Sequence, residues 1–213
     1  MIRGLSLFGF LAVFSVPAMA TPFPDLGTRV EVPSVRAGQT STQDLFSCPP
    51  SLQSAYAASG LPVGDSVQTV RAIDKKVRRT LRYRQDPRGS DVWTNFAAQV
   101  LGGHRATADC EDFATTAITL AICAGVPAQK LGIALSNNRN SRADMRTINH
   151  AFAFYLDERG PVSVADTSAS SPRSVTQRRD GVMLWQTVQS LLVTPSVFRA
   201  SVNPPQTSLP RKR

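Results

Sequence analysis

Three residue types that together perform acyl-transfer chemistry occur in order along this chain: a cysteine at 110, a histidine at 150 and an aspartate at 166. A thiol attacks as its thiolate, which the positive end of a helix dipole and a neighbouring imidazolium both favour. Cys110 opens the run CEDFATTAITLAICA and so stands at a predicted helix N-terminus. His150 would accept the thiol proton and later protonate a leaving amine, while Asp166 would hold the imidazole in the productive tautomer. Each residue also has an ordinary role available: a buried cysteine as a small hydrophobe, a core histidine, an aspartate that closes a turn. Their order, on helix, strand and next strand, favours catalysis. His104, in the Gly102–Gly103 loop, reads as a solvated residue.

The elements that must position these groups follow from periodicity. Val67, Val70, Ile73, Val77 and Leu81 form a helical stripe, with Arg71, Lys75, Lys76, Arg78, Arg79 and Arg82 on other faces. Thr94 to Leu101 reads as a short helix stopped by Gly102 and Gly103. From Cys110 to Ala124 apolar or small residues occupy most faces, which predicts a helix buried nearly all round. Asp109 is its predicted N-cap, Glu111 and Asp112 favour its first turn, and Gly125 and Pro127 end it. Lys130 to Ser136, His150 to Leu156 and Val162 to Asp166 read as strands, with Asp157 to Gly160 as a hairpin turn and 137–149 as a polar loop. Val182 to Val193 fits a strand or a helix.

The hairpin sets a testable geometry. If paired residue numbers sum to 316, His150 faces Asp166 on one side of the sheet. An odd sum points them to opposite faces, and a four-residue turn permits either.

At 213 residues, with 42% hydrophobic and 18% charged, the composition suits one globular domain or a small pair. Residues 1–20 have Arg3, the apolar run Leu5 to Val16 and a small-x-small site at Ala18 to Ala20, the pattern of an export signal. A soluble periplasmic or secreted chain starting at Thr21 is the expectation. Residues 21–50 read as an irregular N-terminal arm, 51–203 as the domain and 204–213 as a basic tail. The net charge of +9 is spread along the chain, without zinc-finger spacing or interleaved aromatics, so nucleic acid is not an expected partner. Three cysteines leave one thiol over in an oxidising compartment. On one helix, Cys110 and Cys123 would stand ~20 Å apart, beyond the reach of a disulfide. Any bridge must then involve Cys48, and pairing it with Cys123 would leave Cys110 free.

From Arg82 to Asp166 the chain resembles the bacterial transglutaminase-like cysteine proteinases, the LapG-type periplasmic adhesin proteases. The residues that carry the likeness are RYRQD (82–86), DVW (91–93), ADCEDFA (108–114), GVPAQKL (125–131), NHAFAFY (149–155) and VAD (164–166). The resemblance implies an α+β, papain-like or transglutaminase-like core, with the nucleophile at a buried helix N-terminus packed on an antiparallel sheet. It implies Cys110 as nucleophile, His150 as base and acid, and Asp166 as orienter. It implies cleavage of a large surface adhesin, with release from a biofilm, and an inner-membrane cyclic-di-GMP receptor as regulator. It also implies calcium beside the nucleophile, on Asp109 and Glu111. Carboxylates at 109, 111 and 112 would raise the thiol pKa, and a hard divalent cation would offset their charge.

Ala108 stands where the family usually has Gly, Thr115-Thr116-Ala117 replace a more polar stretch, and Thr167 follows Asp166 where Asn is usual. These departures are expected at the helix flank and site rim. Two other functions fit the same residues: transfer of the thioester to a lysine or to water from a glutamine, as in a transglutaminase or deamidase, and a periplasmic binding module without activity.

Overall fold

The computed structural model describes residues 45–86, 93–137 and 148–193. The predicted export signal, most of the N-terminal arm, most of the polar loop 137–149 and the tail 204–213 lie outside the described residues. Among the described residues no helix is long and apolar enough to cross a membrane.

Helix α1 spans Pro50–Ala58, and α2 spans Val67–Thr80. The Ser66 hydroxyl caps α2 by accepting the Thr69 N–H at 3.1 Å, worth about 1 kcal/mol. The predicted stripe buries Val70, Ile73 and Val77, while Arg71, Lys75 and Arg79 face out. Strand β1, Leu81–Tyr83, follows directly and pairs in parallel with β2, Ala106–Ala108, in the register Tyr83↔Ala108. That pairing brings the residues after Tyr83 alongside the start of the next helix.

Helix α4, Cys110–Cys123, is the central element, with all residues but Cys110 and Ile122 buried. Asp109 is its N-cap and forms a reciprocal capping box with Asp112, whose side chain accepts the Asp109 N–H. Gly125 takes a positive φ of 86° just past its C-terminus, which only glycine adopts without a steric cost.

The short helix α3 covers Ala97–Leu101, three residues later than Thr94. The reason is that the 94–96 backbone is bonded to α4 instead. The Thr94 N–H donates to Asp112 Oδ1, its carbonyl accepts the Thr115 hydroxyl, and the Phe96 N–H donates to Thr116 Oγ1. Thr115, Thr116 and Thr119 are therefore fully buried on α4 and not at a site rim. They satisfy loop backbone groups that would otherwise cost ~1–3 kcal/mol each.

Four strands form an antiparallel sheet in the order β5-β4-β3-β6. They are β3 Leu131–Ser136, β4 His150–Asp157, β5 Gly160–Val164 and β6 Val182–Thr187. The ambiguous stretch from Val182 is both strand and helix, because β6 runs into α6, Val188–Val193; α5, Gln177–Asp180, precedes β6. On β4, Ala151, Ala153 and Tyr155 belong to the main core with α4, whereas Phe152 and Phe154 pack with Ala134, Val175 and Val182 in a second cluster. A Cβ at Gly132 would lie 2.2 Å from the Phe154 ring and 2.4 Å from the Gln186 carbonyl, so only glycine lets the strands close there.

Cys48 is bonded to Cys123, with Cα atoms 5.3 Å apart. Leu45 and Phe46 are buried as well, so the chain just before α1 is docked on the core.

Candidate active site

Cys110 begins α4, is partly buried and forms no disulfide. Its thiol donates to Glu111 Oε2 at 3.0 Å, and the backbone of Ala151 on β4 also bonds the sulfur. Among the described residues no hydrogen bond joins Cys110 to His150, although Ala151 is the very next residue. Burial pushes the thiol pKa up, and the Glu111 carboxylate adds to the rise. Desolvation and the adjacent anion thus both oppose the thiolate that the helix N-terminus would favour. Asp109 raises the thiol pKa further, whereas Asp112 has no such effect on the thiol.

His150 and Asp166 are together. The His150 Nε2 lies 2.8 Å from Asp166 Oδ1, and both side chains are almost wholly buried, at 5% and 2% exposure. A carboxylate only accepts, so the proton sits on Nε2 and Nδ1 is left as the ring's acceptor. Burial pushes the Asp166 carboxyl up, but hydrogen bonds from His150 and Ser168 outweigh it and hold the group below the usual carboxylate range. Ser168 contributes through both its backbone N–H and its hydroxyl.

This meeting does not come from the hairpin register. The β4–β5 pairs, such as Ala153↔Val164 and Asp157↔Gly160, sum to 317. An odd sum sends residues 150 and 166 to opposite faces of a regular hairpin. Strand β5 ends at Val164, however, and Ala165 has φ +52°, the only non-glycine residue with a positive φ among those described. One left-handed residue turns the chain so that Asp166 reaches His150. An alanine there costs about 1–2 kcal/mol relative to ordinary backbone. The expectation that an odd sum separates the pair is corrected by this turn.

A cluster of carboxylates borders the thiol. Asp86, Asp109 and Glu111 each place one oxygen within 4.8 Å of the others, with Asp109 and Glu111 buried. Asp109 and Glu111 are the metal candidates that the family resemblance implied; Asp86 joins the cluster without having been among them. It lies 23 residues before Asp109, and only the parallel β1–β2 pairing brings it there. Its signal was its place at the end of the RYRQD element. Asp112, behind the cluster, is pushed up to about 7, first by burial and further by Asp109 and Asp86, while the backbone N–H groups of Thr94 and Asp109 oppose the rise. Tyr83 is more than half exposed, and partial burial together with the charges of Cys110, Asp109 and Glu111 pushes its phenol up. His104 is exposed and apart from these groups.

Three carboxylates this close repel one another unless a proton or cation lies among them. Their hard oxygens suit calcium or a similar divalent ion.

A family model described as "Transglutaminase-like superfamily" matches residues 55–164. No curated protein matches the chain. Among solved structures, the chain is similar to Legionella pneumophila LapG at 19% identity, covering 68% of this chain and 74% of that one, with a TM-score of 0.46. It is similar to calcium-bound Legionella pneumophila LapG at 19% identity, covering 67% and 73%, with a TM-score of 0.42.

Proposed function

The chain belongs to the transglutaminase-like superfamily, and from that premise we propose that it is a cysteine endopeptidase using Cys110, His150 and Asp166. The observation that supports this best is the buried His150–Asp166 pair one residue from the backbone group that bonds the free thiol of Cys110.

His150 Nδ1 takes the Cys110 proton as the sulfur attacks a substrate carbonyl carbon. Backbone N–H groups at the start of α4 donate hydrogen bonds to the oxyanion. The C–N bond then breaks, the imidazolium gives its proton to the leaving amine, and a thioester remains on Cys110. Water activated by His150 attacks that thioester, releasing the acid and restoring the thiol. Asp166 stays ionised throughout and steadies the imidazolium.

Asp86, Asp109 and Glu111 would hold a calcium ion. When bound, the ion would supply positive charge that draws the Glu111 carboxylate away from its effect on the thiol. The family resemblance further supports a periplasmic location, a surface adhesin as substrate, release from a biofilm as the outcome and a cyclic-di-GMP receptor as regulator.

The test is digestion of a proteome-derived peptide library with calcium present, read by mass spectrometry. Peptide cleavage by the wild-type chain that is lost in Cys110→Ala is the expected result. Ammonia loss or cross-links without cleavage would make the chain a deamidase or transglutaminase. No change in any product, with a partner still bound by Cys110→Ala, would make it a binding module.

A further inference from the structure

We propose that Asp74 and Arg78 on α2 are positioning residues that clamp the left-handed turn at Ala165 and thereby hold Asp166 on His150. The proposal rests on the reading of His150 and Asp166 as a working pair.

The contacts form one closed set. Asp74 is buried, and its Oδ1 accepts the Ala165 N–H at 2.6 Å. Its Oδ2 accepts from Arg78 Nε at 2.8 Å. The two remaining Arg78 nitrogens donate across to the loop: Nη2 to the Asp166 carbonyl and Nη1 to the Ala169 carbonyl, both at 2.8 Å. The Ala169 N–H in turn donates to the Asp166 carbonyl at 3.0 Å, closing the turn. The backbone before Asp166, at Asp166 and three residues beyond is thus tied to a single ion pair.

An ion pair serving only α2 would need no buried aspartate and no contact with the loop after β5. Here Asp74 is the one charged residue on the buried face of α2, among Val70, Ile73 and Val77, and removing charges from water is costly unless their hydrogen bonds are met. The demand comes from Ala165. It is an alanine with no exposed surface in a conformation that alanine disfavours. Something must over-determine that backbone, and Asp74 bonds its N–H directly. Arginine suits the second position because three acceptors in different directions require a planar fork of donors, which a lysine ammonium does not supply.

The clamp predicts a rescue that a merely stabilising contact does not. In the full chain with 15N-labelled histidine, the His150 Nε2–H bonded to Asp166 gives a downfield proton resonance. That resonance should vanish in Asp74→Ala while the rest of the spectrum stays folded. Iodoacetamide labelling of Cys110 should slow by about 100-fold, the scale of a misplaced catalytic group. Adding Ala165→Gly should restore the resonance and the labelling, because glycine takes a positive φ without a clamp. Arg78→Lys should behave as Asp74→Ala does, and it carries the same test if Asp74→Ala does not fold. A resonance that is absent from the wild type, persists in both folded variants, or fails to return with Ala165→Gly overturns the proposal. If labelling of Cys110 is the same in wild type and His150→Ala, the catalytic reading fails, and the resonance alone still judges the clamp.

Discussion

Cys110, the first residue of α4, carries a free thiol beside Asp86, Asp109 and Glu111, whereas Cys123, the last, is bonded to Cys48 and set among apolar side chains. One helix thus holds the same residue type in two chemical conditions. The N-terminal end concentrates negative charge, a capping box and the backbone of β4 around a sulfur. The C-terminal end anchors the chain before α1 to the core. The difference shows that the helix separates two duties: its last residue fixes the scaffold, and its first is left with a pKa that its surroundings can move.

The largest effect expected from breaking this contrast is at the reactive end. Cys110→Ala and His150→Ala should each lower peptide cleavage by about 10⁴-fold or more, with thermal melting of Cys110→Ala close to wild type. Asp166→Asn should fall in the same range, because a neutral amide no longer enforces the tautomer.

At the anchoring end the sign reverses, with stability lost and chemistry kept. The disulfide spans a separation of 75 residues. Cys48→Ala with Cys123→Ala should cost about 3–4 kcal/mol in urea unfolding, while activity per folded molecule stays near wild type. A large loss of activity in folded double variant would show that the two ends are coupled.

Asp86→Asn sharpens the account of the carboxylate cluster. Calcium affinity measured by calorimetry should weaken on the order of ten- to a hundredfold, through loss of one charged ligand. Unchanged affinity would remove Asp86 from the site.

The smallest effect is the pH dependence of Asp166. Its folded carboxyl is held low by His150 and Ser168 against the opposing effect of burial. The unfolded chain therefore binds the proton first as the pH falls. The stability contributed is complete above the unfolded value of ~3.9 and disappears as the pH drops through the lower folded one. Urea unfolding over about pH 2–6 should fall less steeply with acid in Asp166→Asn than in wild type. Parallel curves would contradict the pairing.

The sequence made α4 legible almost to the residue, because Asp109 announces its start and Gly125 and Pro127 its end. The stripe of α2 was legible because its period reports burial, and β3 and β4, buried along both faces, were legible as short apolar runs. The 94–96 segment was not, because its bonds go to the Asp112 carboxylate and to the Thr115 and Thr116 hydroxyls, about twenty residues away. The turn at Ala165 was also hidden. Alanine gives no sign of a positive φ, and the residue that bonds its N–H lies 91 positions earlier. Arg78 read as one of several solvated basic residues, yet it sits where the stripe meets the loop after β5. Long-range hydrogen bonds to backbone leave no periodic trace, which is why the sequence offered Cys110, His150 and Asp166 as candidates while missing how His150 and Asp166 meet.

The central claim is that Cys110 is a nucleophile served by His150, and site-resolved alkylation of the folded chain tests it most directly. Iodoacetamide labelling would be followed from about pH 5 to 9, around the unperturbed thiol value of ~8.5, with calcium and with a chelator. Rapid labelling of Cys110 well below that value with calcium, lost in His150→Ala and slowed by the chelator, is the predicted result. Labelling of reduced Cys110 that is slow at every pH with calcium present, and unchanged in His150→Ala, would contradict it.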